Sequence, residues 1–436
     1  MDSNKVTPKF YVALAHTDNI SCFTNLEGDD KNRVSNVNLF PSTLKENLLF
    51  SMSFDSEIHY RSMSSKLDPL GDIKELENNN TFPKRMFADC GAFQFRDLPR
   101  PMLDNVELNY EIAWDYYEKK HVKATHHWDE ILLCSPDHII TQDMDDEQTK
   151  NRFDFIKENA LPFLEKSKSD SRISAVGVIH GRDTKERIEQ YEMFKLMGYE
   201  YVALGGMVPY STKQIQVLEI VAGIKDIKKP LIEQKSILGR CRKDGIKLHI
   251  FGLNSPEWVR WWYRLQIDSF DGSKLSTEGA ANGWYYILND GRGAGRYLPE
   301  KPVNIGEFYQ RIAVKKMKSN EWIWEDKSGV LSPIVPLTDK GVDTNCDCPA
   351  CKYLKSSRCT SQRCWYGKIV DDKRHVSDPR MMGSTEHNMG RVAHNAFIFS
   401  WLIEKIKSLN KLADESEIVE ENSWLLNWNT IEVNRW

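Results

Sequence analysis

Eight short apolar runs, four of them followed by a segment of helical spacing, predict an α/β protein whose strands close into a parallel (β/α)8 TIM barrel. A second observation points the same way: the runs repeatedly end on Asp, His or Gly, as strands do where their C-terminal ends feed functional loops. A doubly wound open sheet accommodates the same alternation and is the rival architecture.

In chain order, KFYVALAH (9–16), LLFSMSF (48–54) and RMFAD (85–89) are the first three runs. Residues 17–46 and 55–84, rich in Asn, Ser, Asp and Lys, read as long surface loops between them. DHIITQD (137–143) is the fourth run, and QTKNRFDFIKENALPFLEKSK (148–168) follows with helical spacing. ISAVGVIHG (173–181) leads into the helical 185–198, YVALGGMV (201–208) into 211–226, and IKLHIFGL (246–253) into 256–266. IDSFDG (267–272) completes the eight. Beyond about residue 285 the alternation stops. A Cys-rich segment, a strong helix over 391–410 and an acidic, Trp-containing tail follow. The chain therefore divides into a barrel at 1–290, a Cys-rich subdomain with its closing helix at 291–410, and a tail at 411–436 that reads as packing against the body.

The 436 residues suffice for a large core, and 40% apolar with 28% charged residues is the balance of a soluble globular protein. No run of ~18 uncharged apolar residues could span a membrane, and the N-terminus carries no signal-peptide pattern, so a cytoplasmic location is expected. The net charge of −4 gives no global attraction to nucleic acid; binding one would require a local basic face. Cys346, Cys348, Cys351, Cys359 and Cys364 cluster closely, which in a cytoplasmic chain reads as metal sooner than disulfide.

In a parallel barrel all strand C-termini emerge on one rim. Asp89, Asp143, His180–Gly181, Gly205–Gly206, Gly252 and Asp271 would then converge there. Taken singly, an Asp after a strand is most often a helix cap and a Gly pair a turn. Together they suit sugar chemistry: one carboxylate attacks an anomeric carbon while another handles protons. An ionised Asp also offers two acceptors to the adjacent N1–H and 2-amino donors of a guanine edge.

These residues resemble the motifs of the tRNA-guanine transglycosylase superfamily. DCGAFQ (89–94) is similar to its DSGGFQ motif, DHIITQD (137–143) to the run ending in its base-reading Asp, and GVIHG (177–181) to GIQQG. LGGMV (204–208) is similar to VGGLA, HIFG (249–252) to YLMG, and DSFDG (268–272) to DMFDC. The resemblance covers about residues 85–285 and the Cys-rich segment. It implies base exchange, with Asp271 as nucleophile and Asp89 as general acid/base. It further implies Asp143 on the N1/2-amino edge, Gly205 and Gly206 with His180 at the 6-oxo group, Phe93 stacked on the base, and Phe251 and Gly252 closing the pocket.

The spacing of Cys346, Cys348 and Cys351 can place three thiolates on one tetrahedral ion. The resemblance implies a structural Zn2+ with His394 as fourth ligand; Cys359, Cys364, His375 and His387 are rival ligands in an unusually long insert. Tail and insert also bear on the substrate. The nucleophile is followed by GSKLSTEGAANG rather than the basic segment with which tRNA-modifying members grip RNA, and the insert is locally basic. These departures resemble the bacterial and phage branch that acts on DNA. The expected partners are DNA, or alternatively tRNA, and a free 7-deazaguanine such as the 7-cyano form. A homodimer or a helper protein is compatible with the pattern. A retaining glycoside hydrolase or a non-catalytic nucleic-acid-binding module are the remaining alternatives.

Overall fold

In the computed structural model, the described residues are 6–14, 44, 46–52, 84–103, 106–123, 128–210, 213–223, 235–273, 284–288, 309–316, 322–326, 368–370, 373–375, 395–397, 399–400 and 403–404. Eight parallel strands form a closed barrel: β1 (Lys9–Leu14), β2 (Asn47–Ser51), β3 (Arg85–Asp89), β4 (Glu130–Cys134), β5 (Ile173–Ile179), β6 (Tyr201–Leu204), β7 (Lys247–Ile250) and β8 (Ser269–Gly272). Each strand pairs with its sequence neighbour, and β8 returns to β1 with Tyr11 opposite Asp271. The chain is thus a TIM barrel, and the open-sheet alternative falls because β1 is paired on both sides.

The barrel is packed, not hollow. Tyr11, Leu49, Phe87, Leu132, Val176, Val178 and Tyr201 fill its interior, the inward halves of period-two strands. Their outward neighbours, such as Leu48, Met86, Ile131 and Leu133, meet the surrounding helices. Those helices are α1 (Tyr110–Tyr117), α2 (Asp146–Ser167), α3 (Thr184–Met197), α4 (Gln214–Ala222), α5 (Ile237–Asp244) and α6 (Pro256–Leu265). Local chemistry starts several of them. Asp145 accepts from the Gln148 backbone N–H while the Gln148 side chain returns the bond, a reciprocal cap on α2. Asn109, Asp183 and Ser236 cap α1, α3 and α5 through side-chain oxygens.

The fourth strand differs from expectation. It is EILLC at 130–134, and DHIITQD is the loop that follows it. Ile139 and Ile140 in that loop are nevertheless buried, because Arg152 of α2 reaches back to donate to the Ile139 carbonyl and pins the loop over the rim. Two further helices, α1 and α5, were not foreseen. After the barrel come a three-stranded antiparallel sheet, Trp284–Leu288, Tyr309–Lys316 and Trp322–Asp326, and a hairpin of Lys368–Val370 with Lys373–His375. The described residues of the closing helix bury Ala396, Phe399 and Ile403, and Phe399 packs edge-on against Phe10 of β1 with ring centroids 5.1 Å apart. No helix among the described residues is long and apolar enough to cross a membrane. The long loops at 17–43 and 53–83, the tail, Cys346, Cys348, Cys351 and His394 lie outside the described residues.

Candidate active site

At the C-terminal mouth of the barrel lies a cavity of about 330 Å³. Asp89, Phe93, Asp137, His180, Gly205, Gly206, Phe251, Gly252 and Asp271 all line it. They come from six different strand ends and the loops after them, which is why sequence distance hides their proximity.

Asp271, on β8, is buried. Its Oδ1 accepts from the Gly252 backbone N–H at 2.9 Å and faces His249 Nε2 at 3.3 Å. Below it the chain continues: His249 Nδ1 meets Ser269 Oγ at 2.7 Å, and Ser269 Oγ meets the Tyr201 hydroxyl at 2.7 Å. Burial holds the His249 imidazole below its usual pKa, so the ring stays neutral, although the bond to Asp271 and its charge pull the other way.

Asp89 ends β3 and accepts from the Gly91 backbone N–H at 3.1 Å. Desolvation lifts its pKa to about 7; the charges of Asp271 and Asp137 add to the rise, and bonds from Ser51 and Gly91 partly offset it. A carboxyl poised near neutrality can give and take a proton at working pH.

Asp137 is the carboxylate that sequence reasoning missed. It is buried, its Oδ2 lies 2.6 Å from His180 Nε2, and Cys90 Sγ donates to its Oδ1 at 2.7 Å. Burial first, then the Asp137 charge, raises the Cys90 thiol well above its usual pKa, so it serves as a proton donor rather than a thiolate. The carboxylate fixes Nε2 as the protonated nitrogen of His180. The His180 ring lies against Gly205, where a Cβ would stand 2.3 Å from Cε1. Only a residue without a side chain admits the imidazole there.

Asp143, in contrast, is exposed and does not line the cavity. It accepts from the Thr141 hydroxyl, which holds its carboxyl below the usual range. The reason is the shift of strand four: with β4 ending at Cys134, Asp137 stands close to the strand end and Asp143 falls at the far end of the loop. The signal for Asp137 was an Asp three residues beyond a short ILLC run.

Phe93 stands at the mouth, 50% exposed, with the Arg96 guanidinium 4.3 Å from its ring centroid. A large aromatic left this open, on a cavity rim, offers a free face for stacking. Gly252 turns the chain with φ of 76°, and a Cβ would stand 2.5 Å from Val208 Cγ2. Among the described residues no group of three or more His, Cys, Asp or Glu is arranged to hold a metal.

A barrel whose mouth gathers a buried, hydrogen-bonded carboxylate and a second carboxyl titrating near neutrality has the equipment for covalent transfer at an anomeric carbon. No family model matches the chain. It is similar to the DNA-guanine transglycosylase of Salmonella montevideo, 27% identical over 195 residues, which cover 43% of this chain. The chain spans 40% of that relative's length. The name of this relative falls in the same family that the sequence motifs resemble.

Proposed function

We propose that this protein exchanges guanine in DNA for a 7-deazaguanine base, such as 7-cyano-7-deazaguanine, through a covalent aspartyl-glycosyl intermediate. The observation that carries the reading is the placement of Asp271 and Asp89 in one cavity, the first held by Gly252 and the second titrating at about 7. Asp271 attacks C1′ of the target nucleotide, the C1′–N9 bond breaks, and protonated Asp89 gives its proton to the departing guanine. The incoming base then attacks C1′ through N9, its N9 proton passes to Asp89, and the C1′–Oδ bond breaks with its electron pair returning to Asp271.

Phe93 stacks on the base, and Phe251 with Gly252 closes its other side. The Gly205–Gly206 backbone, backed by the His180 ring, meets the 6-oxo region. Loop 137–143 supplies edge recognition, with Asp137 and Thr141 lining the cavity and Asp143 at the exposed far end of the loop. A duplex buries C1′ and the edges of its bases, so the target is flipped out or single-stranded, at a cost of a few kcal/mol that phosphate contacts and stacking offset. A structural zinc held by Cys346, Cys348, Cys351 and His394 belongs to the same proposal; three thiolates and an imidazole make a closed tetrahedral set without an open position.

The test is nucleoside mass spectrometry of DNA and of tRNA, each incubated with the protein and 7-cyano-7-deazaguanine. The modified deoxynucleoside is expected in DNA. Modification of tRNA alone would overturn the DNA assignment, and release of abasic sugar without exchange would overturn transfer.

A further inference from the structure

The transglycosylase reading leaves His249 without a role, yet it is fully buried and its Nε2 lies 3.3 Å from Oδ1 of the proposed nucleophile. Two donors converge on one oxygen of Asp271: the Gly252 N–H and His249 Nε2 both meet Oδ1, and among the described residues no hydrogen bond to Oδ2 is formed. The ring is set for this. Its Nδ1 has Ser269 Oγ at 2.7 Å, and Ser269 in turn has the Tyr201 hydroxyl. Run in one direction, Tyr201 O–H donates to Ser269, Ser269 O–H donates to Nδ1, and Nε2–H is left to donate to Asp271. The reverse direction would aim a bare Nε2 lone pair at a carboxylate, so the pairing selects the first.

We infer that His249 is a positioning residue which, with the Gly252 N–H, reserves Asp271 Oδ2 for attack on C1′ and assists its departure in the second half of the exchange. The inference rests on the transglycosylase reading. In the glycosyl-enzyme, Oδ2 is the ester oxygen bonded to C1′ and Oδ1 is the ester carbonyl. When N9 of the incoming base attacks, the C1′–Oδ2 bond breaks and its electron pair returns to the carboxylate. Negative charge then grows on Oδ1, where both donors already point, as preorganised donors do at a developing oxyanion. Hydrogen bonds that favour carboxylate over ester slow formation of the intermediate intrinsically and speed its resolution. Loss of His249 therefore shifts the partition between the steps, whereas a general loss of structure would slow both.

The experiment uses the full chain, a guanine-containing DNA oligonucleotide and labelled free guanine. Covalent adduct is quantified on denaturing gels, and label incorporation is followed in parallel. His249→Leu is expected to raise the ratio of adduct-forming to adduct-resolving rates by about tenfold, the worth of one hydrogen bond to a charged group. His249→Gln, which keeps an N–H donor, is expected to recover most of the wild-type ratio. Ser269→Ala, a milder change that frees Nδ1, is expected to move the ratio in the same direction as His249→Leu. An unchanged ratio in both His249→Leu and Ser269→Ala, or Gln behaving as Leu, overturns the role of His249 while leaving the transglycosylase reading in place. Absence of any adduct or label incorporation by the wild-type protein overturns that reading, and this inference with it.

Discussion

Replacing Asp89 by Asn tests the electrostatics of the cavity most directly, because it removes the ionisation and keeps the shape. The carboxyl titrates at about 7 in the folded chain, against 3.8 for an unperturbed Asp. Below pH 3.8 both folded and unfolded states hold the proton, so the group adds no pH-dependent term. As pH rises from about 4 to 7 the unfolded chain loses the proton and the folded chain keeps it, so stability falls; above 7 both are ionised and the loss levels off. The interval of 7 − 3.8 corresponds to about 4 kcal/mol at 1.36 kcal/mol per unit. Because Asp89 keeps some exposure toward the cavity mouth, that figure is a ceiling. Thermal unfolding of wild type and Asp89→Asn across pH 4 to 8.5 reads the effect. The two should coincide near pH 4 and diverge by pH 7.5, with the variant the more stable, while its base exchange is lost. In single turnover, wild-type adduct formation should fall as pH rises through about 7, since the departing guanine needs the protonated acid. Parallel stability profiles for the two proteins would refute the raised pKa and with it the acid/base assignment.

Asp271→Asn should abolish the covalent adduct with DNA while leaving free-base binding by calorimetry within a few-fold of wild type. Phe93→Ala should keep the melting temperature, since the ring is half exposed, and weaken base binding by about 1–3 kcal/mol, the worth of one stacked base. Gly205→Ala forces a methyl into the His180 ring and should destabilise the fold by about 1–3 kcal/mol, measured by urea denaturation. Metal analysis of the purified protein should find about one zinc per chain, the stoichiometry of a single closed four-ligand site, and Cys348→Ser should lower it.

The barrel was legible because its strands repeat one pattern: a short apolar run closing on a polar or Gly position. The pattern misled at the fourth strand. EILLC is framed by Glu130 and Cys134 and is barely longer than its apolar centre, whereas DHIITQD has more of the look of a strand. Its two Ile residues are buried by a tertiary contact from Arg152, which periodicity cannot register. That shift carried the site reading with it, placing Asp143 on the rim and leaving Asp137 unnoticed. Helix α5 escaped because it is short, charged and interrupted by Gly239. The place of Asp89, Asp271, His180 and the Gly pair at the strand ends was readable from their motifs. The Tyr201–Ser269–His249 chain was not, since it links three inward-facing positions on strands β6, β8 and β7 that only barrel closure brings together.

The position of Asp271 on β8 has a consequence for how the protein comes into being. β8 is the strand that seals the ring, pairing Phe270 and Asp271 with Phe10 and Tyr11 at the opposite end of the barrel sequence. On the transglycosylase reading, residues up to β7 would carry the carboxyl that handles protons and the loop that holds the base, but not the group that opens the glycosidic bond. A chain arrested short of closure would on that reading be chemically silent toward DNA. Bond cleavage would become available only together with the enclosed pocket that retains the incoming base, so immature protein would leave no missing bases behind.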